Sequence, residues 1–284
     1  MEIISNSLTP TDNMGLLLDI CIAAYRRKGL ERLVSMSHPS LPGVRYIVSW
    51  QYAADAPDDI PQEILLRKDM SVFPTDTVGL GANREKALEK AEAPLVLLSD
   101  DDVSYTAEEI QSVIAAFQTY PNHDFLIFRY RSDKNPRSFP DYEFDFENQP
   151  KNFPFGGPTI AFRLSKVREK GVRFNPLFGV NSMFNHGEDT LFVYDMSKKG
   201  LKGRYIPANC CRHEDSSTGM RLLKEPEFIA AKGALLYSIF PISWPLRMLT
   251  HTLREAEGVK SRLQYMGNWL KGVKKFRQKS QSIS

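Results

Sequence analysis

The chain has 284 residues, 42% of them hydrophobic and 25% charged, with a formal net charge of +3. This composition is ordinary for a globular protein, and the length suffices for a full α/β core, as one large domain or one domain with an appendage. The three cysteines, two of them adjacent, exclude a disulfide framework and the CxxC spacing of a metal site.

The N-terminus and the apolar runs predict a cytoplasmic protein. The first residues, MEIISNSLTP, lack the basic and apolar regions of a signal peptide, and residues 1–14 are a polar lead-in. No run of 18 uninterrupted apolar residues is present, so we expect no membrane-spanning helix. The few cysteines favour a reducing compartment.

Predicted strands and helices alternate through the first third of the chain. Apolar patterning predicts strands over 15–25, 44–51 and, more weakly, 65–72, with a helix over 28–36 and a Pro- and Asp-rich loop over 53–61. Alternation of this kind predicts a parallel, Rossmann-like sheet.

The next stretch, residues 79–103, carries the strongest signals. Gly79–Asn83 has the residues of a turn, and a run of helix formers over 84–93 follows until Pro94 ends it. The segment Leu95–Leu98 is apolar without alternation, which predicts a strand buried on both faces of a parallel sheet.

Three consecutive acidic residues, Asp100, Asp101 and Asp102, follow this strand directly. Adjacent carboxylates repel one another and are costly to bury unless a cation neutralises them. Ligands bind at the carboxyl ends of strands in open α/β sheets, and alternation along a strand should point Asp100 and Asp102 together and Asp101 away. The triplet predicts a site for Mg²⁺ or Mn²⁺ with a substrate diphosphate. The alternative is a solvated acidic turn.

The pattern Gly-Leu-Gly-Ala-Asn-Arg-x-x-Ala-Leu-x-x-Ala from Gly79, the apolar strand and the acidic triplet together resemble family-2 glycosyltransferases of the GT-A fold. The resemblance runs from about Leu16 to about Gly219. It implies an α/β fold with a mainly parallel mixed sheet flanked by helices. It also implies a nucleotide-diphospho-sugar donor and a metal held by an Asp-x-Asp element.

For the donor, the resemblance implies that loops after the first two strands hold the nucleobase and ribose. Where the family usually has an acidic residue after the second strand, the nearest candidates here are Gln51 and Asp55. The implied donor-binding set is Ala24, Tyr25, Gln51, Gly81, Asn83, Arg84, Asp100 and Asp101. The implied metal ligands are Asp102, Asp100 and His213.

The second half begins with a capping box, Thr106–Glu109, and apolar spacing that predicts a helix ending near Tyr120, before a strand over 125–128. Residues 131–158 are predicted to form a long functional loop, and the resemblance implies a role in the acceptor site. At its end, Gly156 and Gly157 permit close approach of an acceptor to the backbone before a strand over 159–163. A plain tight turn is the alternative.

An acidic pair, Glu188 and Asp189, opens a predicted helix that follows His186. The helix dipole favours negative charge in a first turn, which by itself explains the pair. The resemblance implies that one carboxylate is the catalytic base. Because neighbouring helical residues point about 100° apart, only one can face the acceptor hydroxyl. We assign that role to Asp189 and hydrogen bonding to Glu188.

His213 follows a predicted strand over 204–207 and precedes a polar loop. A lone histidine is more often structural, but the resemblance implies a histidine near the metal and diphosphate, and neutral imidazole suits Mn²⁺. In that loop Ser216, Ser217 and Thr218 can reach phosphate oxygens. The adjacent Cys210 and Cys211 are interpreted as packing residues.

The C-terminal part, 226–284, is predicted to be a helical extension, with a helix over 228–240. Residues 254–284 hold eight Lys or Arg against two Glu, interleaved with apolar residues that include Trp269 and Phe276. A basic, aromatic-striped helix is typical of a membrane-surface segment, and packing on the catalytic domain is the alternative. No nucleic-acid recognition motif is present, so we expect no nucleic-acid partner.

The resemblance implies a GT-A domain over 15–225, with a donor half (15–103) and an acceptor half (104–225). It also implies inverting transfer from a nucleotide sugar, preferably UDP-linked, to a hydroxyl of a glycan or lipid-linked saccharide in cell-surface polysaccharide synthesis. The predicted location is the cytoplasm, at the inner face of the membrane. There are two alternatives. One is a haloacid-dehalogenase-like phosphatase, although such enzymes have their Asp-x-Asp motif on the first strand. The other is an inactive membrane-associated scaffold.

Overall fold

The computed structural model describes residues 15–51, 60–133, 138–151, 153–213 and 225–280. The strands are β1 (Leu18–Tyr25), β2 (Val44–Gln51), β3 (Met70–Thr75), β4 (Leu95–Asp100), β5 (Val103–Ser104), β6 (Phe125–Arg131), β7 (Phe144–Asp145), β8 (Ile160–Arg163) and β9 (Gly203–His213). The helices are α1 (Arg26–Ser35), α2 (Gln62–Leu65), α3 (Leu80–Lys90), α4 (Ala107–Thr119), α5 (Leu164–Glu169), α6 (Glu188–Lys198), α7 (Pro226–Ile239), α8 (Trp244–Glu255) and α9 (Val259–Ser280).

The described residues fall into two compact units. The first contains the described parts of 15–78, 82–173 and 196–213, and it holds the whole sheet. The second contains 79–81, 174–195 and the C-terminal helices. Segment 174–195, placed in the acceptor half from the sequence, therefore clusters with the C-terminal extension.

The sheet is mixed, with strand order β3-β2-β1-β4-β8-β6-β9-β5, and β7 pairs with β9. The four strands from β3 to β4 are parallel, whereas β8 runs antiparallel to both β4 and β6. Every residue of β4 from Leu95 to Ser99 is buried, as its unbroken apolar run predicts. The predicted α/β class with a mainly parallel mixed sheet is confirmed.

The polar residue that interrupts β1, Asp19, is fully buried and its carboxylate is satisfied. Arg45 on the neighbouring strand donates to both carboxylate oxygens, at 2.8 and 2.9 Å. The backbone N–H groups of Glu92 and Ala93 donate to the same carboxylate. Because a buried carboxylate is tolerated only when it is paired and hydrogen-bonded, Asp19 fixes the start of β4 beside β1.

Two local predictions were wrong. The third strand begins at Met70, not at residue 65, because Arg67 and Asp69 form a 2.6 Å ion pair in the preceding turn, and pairing with β2 starts only at Met70. In the predicted turn, only Gly79 has a positive φ (+94°); α3 already begins at Leu80. Gly81 is helical, and it is glycine because a side chain there would meet the Phe178 carbonyl oxygen.

The capping box on α4 is confirmed: the Thr106 hydroxyl accepts from the Glu109 N–H, and the Glu109 carboxylate accepts from the Thr106 N–H. The predicted loop over 131–158 is less irregular than expected. It begins only after β6 ends at Arg131, and it contains β7 and a short 3₁₀ turn over Phe146–Asn148. Phe144 of β7 stacks on Tyr205 at 4.9 Å between ring centroids.

The helices of the second unit pack closely around aromatic residues. A side chain at Gly272 of α9 would overlap the Ala230 carbonyl group of α7, so the two helices approach through backbone atoms. The predicted helical extension is confirmed, but membrane insertion of its aromatic residues is wrong. Trp269 is fully buried, and Phe276 packs on Phe178 and Phe184. Within the described residues, no helix is long and apolar enough to cross a membrane.

Candidate active site

The acidic triplet lies where β4 ends, in the first unit. Asp100, Asp102 and His213 each offer one ligand atom, and these three atoms lie within 4.8 Å of one another. Asp101 points elsewhere, as alternation along a strand predicts. Its carboxylate accepts the Tyr25 N–H at 3.1 Å and pairs with Arg32 at 2.7 Å. Asp101 therefore connects the triplet to the end of β1 and to α1.

Short antiparallel pairing brings His213 to this group. β9 ends at His213, which lies opposite Val103 of β5, one residue after Asp102. The His213 Nε2 is 3.4 Å from the Asp102 Oδ1. The sequence gives no sign of this register, because β5 has only two residues.

The electrostatics of Asp102 favour a cation. Burial raises the pKa of Asp102 to about 6, because the effect of burial and of the charges on Asp100 and Asp101 exceeds the lowering by His213 and Arg32. Its Oδ1 atom is buried without a hydrogen-bond partner. A buried, unsatisfied carboxylate oxygen beside a second carboxylate and an imidazole is a donor set that fits Mn²⁺, or Mg²⁺ with less use of the nitrogen.

A buried arginine holds the Asp100 carboxylate in place. The side chain of Arg84 is only 2% exposed and pairs with the Asp100 Oδ1 at 2.6 Å. Gly157 lies against this guanidinium, and a side chain there would overlap it. Around Gly156, by contrast, nothing lies within 4 Å of where a side chain would begin. The two glycines predicted at the acceptor site therefore differ: Gly157 accommodates Arg84, and Gly156 is open.

The other predicted donor residues lie at the ends of β1 and β2. Ala24 is fully buried, whereas Tyr25 is 41% exposed with the Arg26 guanidinium 5.1 Å from its ring centroid. Gln51, paired in register with Tyr25, is buried and donates to the Thr77 carbonyl oxygen. Of these three residues, Tyr25 is the one with an exposed aromatic ring.

Asn83 connects these strand ends rather than facing solvent. It is 1% exposed, accepts the Ser49 hydroxyl at 2.6 Å and donates to the Ala24 carbonyl oxygen at 3.1 Å. Arg26, which lies over the Tyr25 ring, and Arg32, which pairs with Asp101, were not predicted from the sequence. The basic run that starts directly where β1 ends could have indicated them. Asp55, Ser216, Ser217 and Thr218 lie outside the described residues.

The acidic pair lies in the second unit, at the start of α6. Glu188 is 6% exposed, with its side chain against the backbone of Gly81 and Gly179. Asp189 is partly exposed. Two residues earlier, His186 stacks on Phe228, with 3.8 Å between ring centroids.

His186 is uncharged and holds the chain before α6 against Phe228 of α7. Its Nε2 lies 3.1 Å from the Phe228 carbonyl oxygen, to which it donates. Burial lowers the pKa of His186 to about 4. The imidazole therefore stays uncharged at neutral pH.

Part of the chain matches a known protein family. Residues 53–176 match the family model described as Glycosyl transferase family 2. The matched range contains the acidic triplet and both glycines of the 156–157 pair, whereas Glu188, Asp189 and His213 lie outside it. No curated protein has a sequence similar enough to match this chain.

Solved structures with a similar fold include TarS 1–349 of S. aureus in complex with UDP-GlcNAc. Its TM-score is 0.58 at 15% identity, over 93% of this chain and 92% of that chain. The mannosyltransferase PcManGT from Pyrobaculum calidifontis, in complex with GDP-Man and Mn²⁺, has a TM-score of 0.51 at 13% identity, over 93% of this chain and 72% of that chain. At such identities these similarities establish the fold.

The mixed sheet flanked by helices thus has the GT-A fold of these solved structures. The match over residues 53–176 supports a family-2 glycosyltransferase.

Proposed function

We propose that this chain transfers a sugar from a nucleotide-diphospho-sugar to a hydroxyl group, with inversion at the anomeric carbon. The observation that carries the proposal is the convergence of Asp100, Asp102 and His213 where β4 ends. The TarS complexes with UDP-GlcNAc and UDP, and the PcManGT complex with GDP-Man, support the donor class. A UDP-linked donor is our first choice.

In this proposal Asp100, Asp102 and His213 hold Mn²⁺ or Mg²⁺. The bound cation supplies positive charge that stabilises the departing diphosphate. Arg84 holds the Asp100 carboxylate in place through a buried ion pair. Asp101, which was assigned to donor binding, contributes by fixing the Tyr25 backbone, and Tyr25 offers its exposed ring to the base.

Asp189 is the proposed base that takes the proton of the acceptor hydroxyl. Its partial exposure supports this choice over Glu188, whose side chain is buried against glycine backbone. Gly156 is the glycine that remains available for close approach of an acceptor. The proposed acceptor is a glycan or a lipid-linked saccharide of cell-surface polysaccharide synthesis, made on the cytoplasmic side. The three free, buried thiols are consistent with a reducing compartment.

A panel of UDP- and GDP-sugars with added Mn²⁺ tests the proposal. A ligand that binds only the folded state raises the melting temperature. We expect stabilisation by one donor, with slow metal-dependent hydrolysis of that donor, and loss of both in Asp102→Asn. Release of phosphate from simple monoesters without donor preference would indicate the phosphatase alternative. Absence of both stabilisation and hydrolysis would indicate an inactive scaffold.

A further inference from the structure

An apolar stripe on α8 is exposed. Leu246, Leu249 and Leu253 are 64%, 45% and 55% exposed, and Ile242, in the turn before the helix, is 94% exposed. The spacing of the three leucines places them on one side of the helix. Met248 and Thr252, on another side, are buried in the helical unit. α8 thus has one packed face and a second apolar face turned to solvent.

α9 repeats this arrangement. Its buried side holds Tyr265, Trp269 and Val273, whereas Val259, Leu263 and Leu270 are 74%, 66% and 45% exposed. Exposed lysines accompany these apolar residues, at Lys260, Lys271, Lys274 and Lys275. Over residues 241–280 the sequence has nine Lys or Arg against two Glu, a local balance of +7.

A polar cluster on the packed side fixes the three helices. The Glu255 carboxylate accepts from Lys232 of α7 at 2.8 Å, from Tyr265 of α9 at 2.7 Å and from Arg254 at 2.9 Å. Burial raises the pKa of Glu255, but these bonds and one from His251 outweigh it and hold the pKa well below its usual range. The exposed leucines therefore belong to helices with fixed rotation.

We propose that the exposed apolar residues of α8, α9 and the turn before α8 dock on an anionic lipid bilayer, with α8 lying in the plane of the headgroups. These residues, here called the leucine face, are Ile242, Leu246, Leu249, Leu253, Val259, Leu263 and Leu270. An exposed apolar stripe flanked by basic residues is the pattern of helices that lie in this plane. Exposed apolar stripes of this kind mark an interaction surface.

Charge selects the bilayer over a second copy of the chain. A two-fold dimer brings the same patch of both copies together, so two strongly basic surfaces would face each other. An anionic leaflet instead attracts each lysine or arginine near its surface. The residues that enter the apolar layer are the exposed leucines, and Trp269 and Phe276 remain in the helical core.

Co-sedimentation of the full chain with vesicles of equimolar phosphatidylcholine and phosphatidylglycerol, without nucleotide, tests this proposal. The triple variant Leu246→Gln/Leu249→Gln/Leu253→Gln should partition at least about tenfold less, because it loses the apolar contacts with the acyl chains. The matched control is Leu65→Gln/Leu66→Gln, whose leucines are 50% and 74% exposed in the first unit. This control should bind like wild type.

The charge component has its own variant. Each lysine near an anionic leaflet is worth about fivefold in partition, so Lys271→Gln/Lys274→Gln/Lys275→Gln should lose on the order of 100-fold at low salt. The equally charged control Lys90→Gln/Lys151→Gln/Lys170→Gln should lose little. Binding of wild type should weaken at high salt and on pure phosphatidylcholine.

Unchanged melting temperatures in all variants establish that the fold is intact. The proposal is overturned if wild type ignores the anionic vesicles at low salt, or if the leucine variant binds as tightly as wild type. It is also overturned if light scattering shows a wild-type dimer that the leucine variant dissociates, since a second copy then covers the face. None of these readouts depends on sugar transfer, so the proposed activity stands or fails separately.

Discussion

The two acidic groups of this chain are built in opposite ways. Asp100 and Asp102 lie beside His213 at a strand end, where burial raises the pKa of Asp102 to about 6 and one of its oxygens has no hydrogen-bond partner. Glu188 and Asp189 instead occupy the first turn of a helix, where the dipole favours negative charge. The acidic group at the strand end therefore costs the fold free energy unless a cation binds. The acidic group at the helix start is stabilised by the backbone of its own helix.

The first prediction concerns the acidic group at the strand end, Asp100 and Asp102, here called the strand-end group. Asp102→Asn should lower donor turnover by on the order of 10³-fold or more, because it removes a proposed ligand of the cation that would neutralise the departing diphosphate. Its melting temperature without metal should equal or exceed that of wild type, since a buried, repelled carboxylate is gone. Turnover near the wild-type level with metal still required would place the cation elsewhere.

The second prediction addresses the helix-start group. Asp189→Asn should cost about 10²–10⁴ in turnover, the usual worth of a positioned base. Mn²⁺ affinity and donor-induced stabilisation should change little, because neither depends on this carboxylate. The matched variant is Glu188→Gln. If Glu188→Gln is the inactive protein and Asp189→Asn is active, the roles within the pair are reversed.

A third prediction concerns the adjacent glycines Gly156 and Gly157. Gly157→Ala places a methyl group in the Arg84 guanidinium, so the ion pair with Asp100 must shift. We expect a loss of about 1–3 kcal/mol in the free energy of unfolding, as in other overpacked sites, together with weaker Mn²⁺ binding. Gly156→Ala, with open space around it, is the control and should change neither quantity. Equal behaviour of both variants in urea unfolding would contradict the role given to Arg84.

The fourth prediction concerns pH and His186, the histidine that precedes Glu188 and Asp189. The folded state depresses the pKa of His186 from 6.5 to about 4, so only the unfolded chain takes up this proton between those values. The stability that neutral His186 contributes is present above about pH 6.5 and is lost as pH falls toward 4. His186→Phe should therefore reduce the difference between the unfolding free energies at pH 7 and pH 4.5 by about 2 kcal/mol. An unchanged difference would mean that His186 is already charged in the fold.

The strand-end group could be predicted from the sequence because its parts follow local rules. An apolar run without alternation gives a buried strand, and alternation then separates Asp101 from Asp100 and Asp102. The contact of His213 with Asp102 depends instead on antiparallel pairing across 111 residues of sequence, through a strand of two residues. Only the family resemblance suggested that contact.

The C-terminal helices show where composition misleads. Aromatic residues at helical spacing, such as Trp269 and Phe276, were assigned to a membrane, but Trp269 is fully buried and Phe276 packs against the helical core. The exposed leucines of α8 lie largely outside the segment chosen from its charge. Periodicity shows that a helix has an apolar stripe, and only packing shows which stripe is covered when a helix has two. The same reasoning explains Arg84, whose burial against Gly157 depends on a loop 73 residues away.

Direct titration of Mn²⁺ against the metal-free protein, followed by the loss of the free-ion electron paramagnetic resonance signal, tests the central claim. We expect one bound ion per chain in wild type and in Asp189→Asn. We expect no binding in Asp102→Asn and weaker binding in His213→Ala. Equal Mn²⁺ binding by wild type and Asp102→Asn would show that the strand-end carboxylates do not hold the cation.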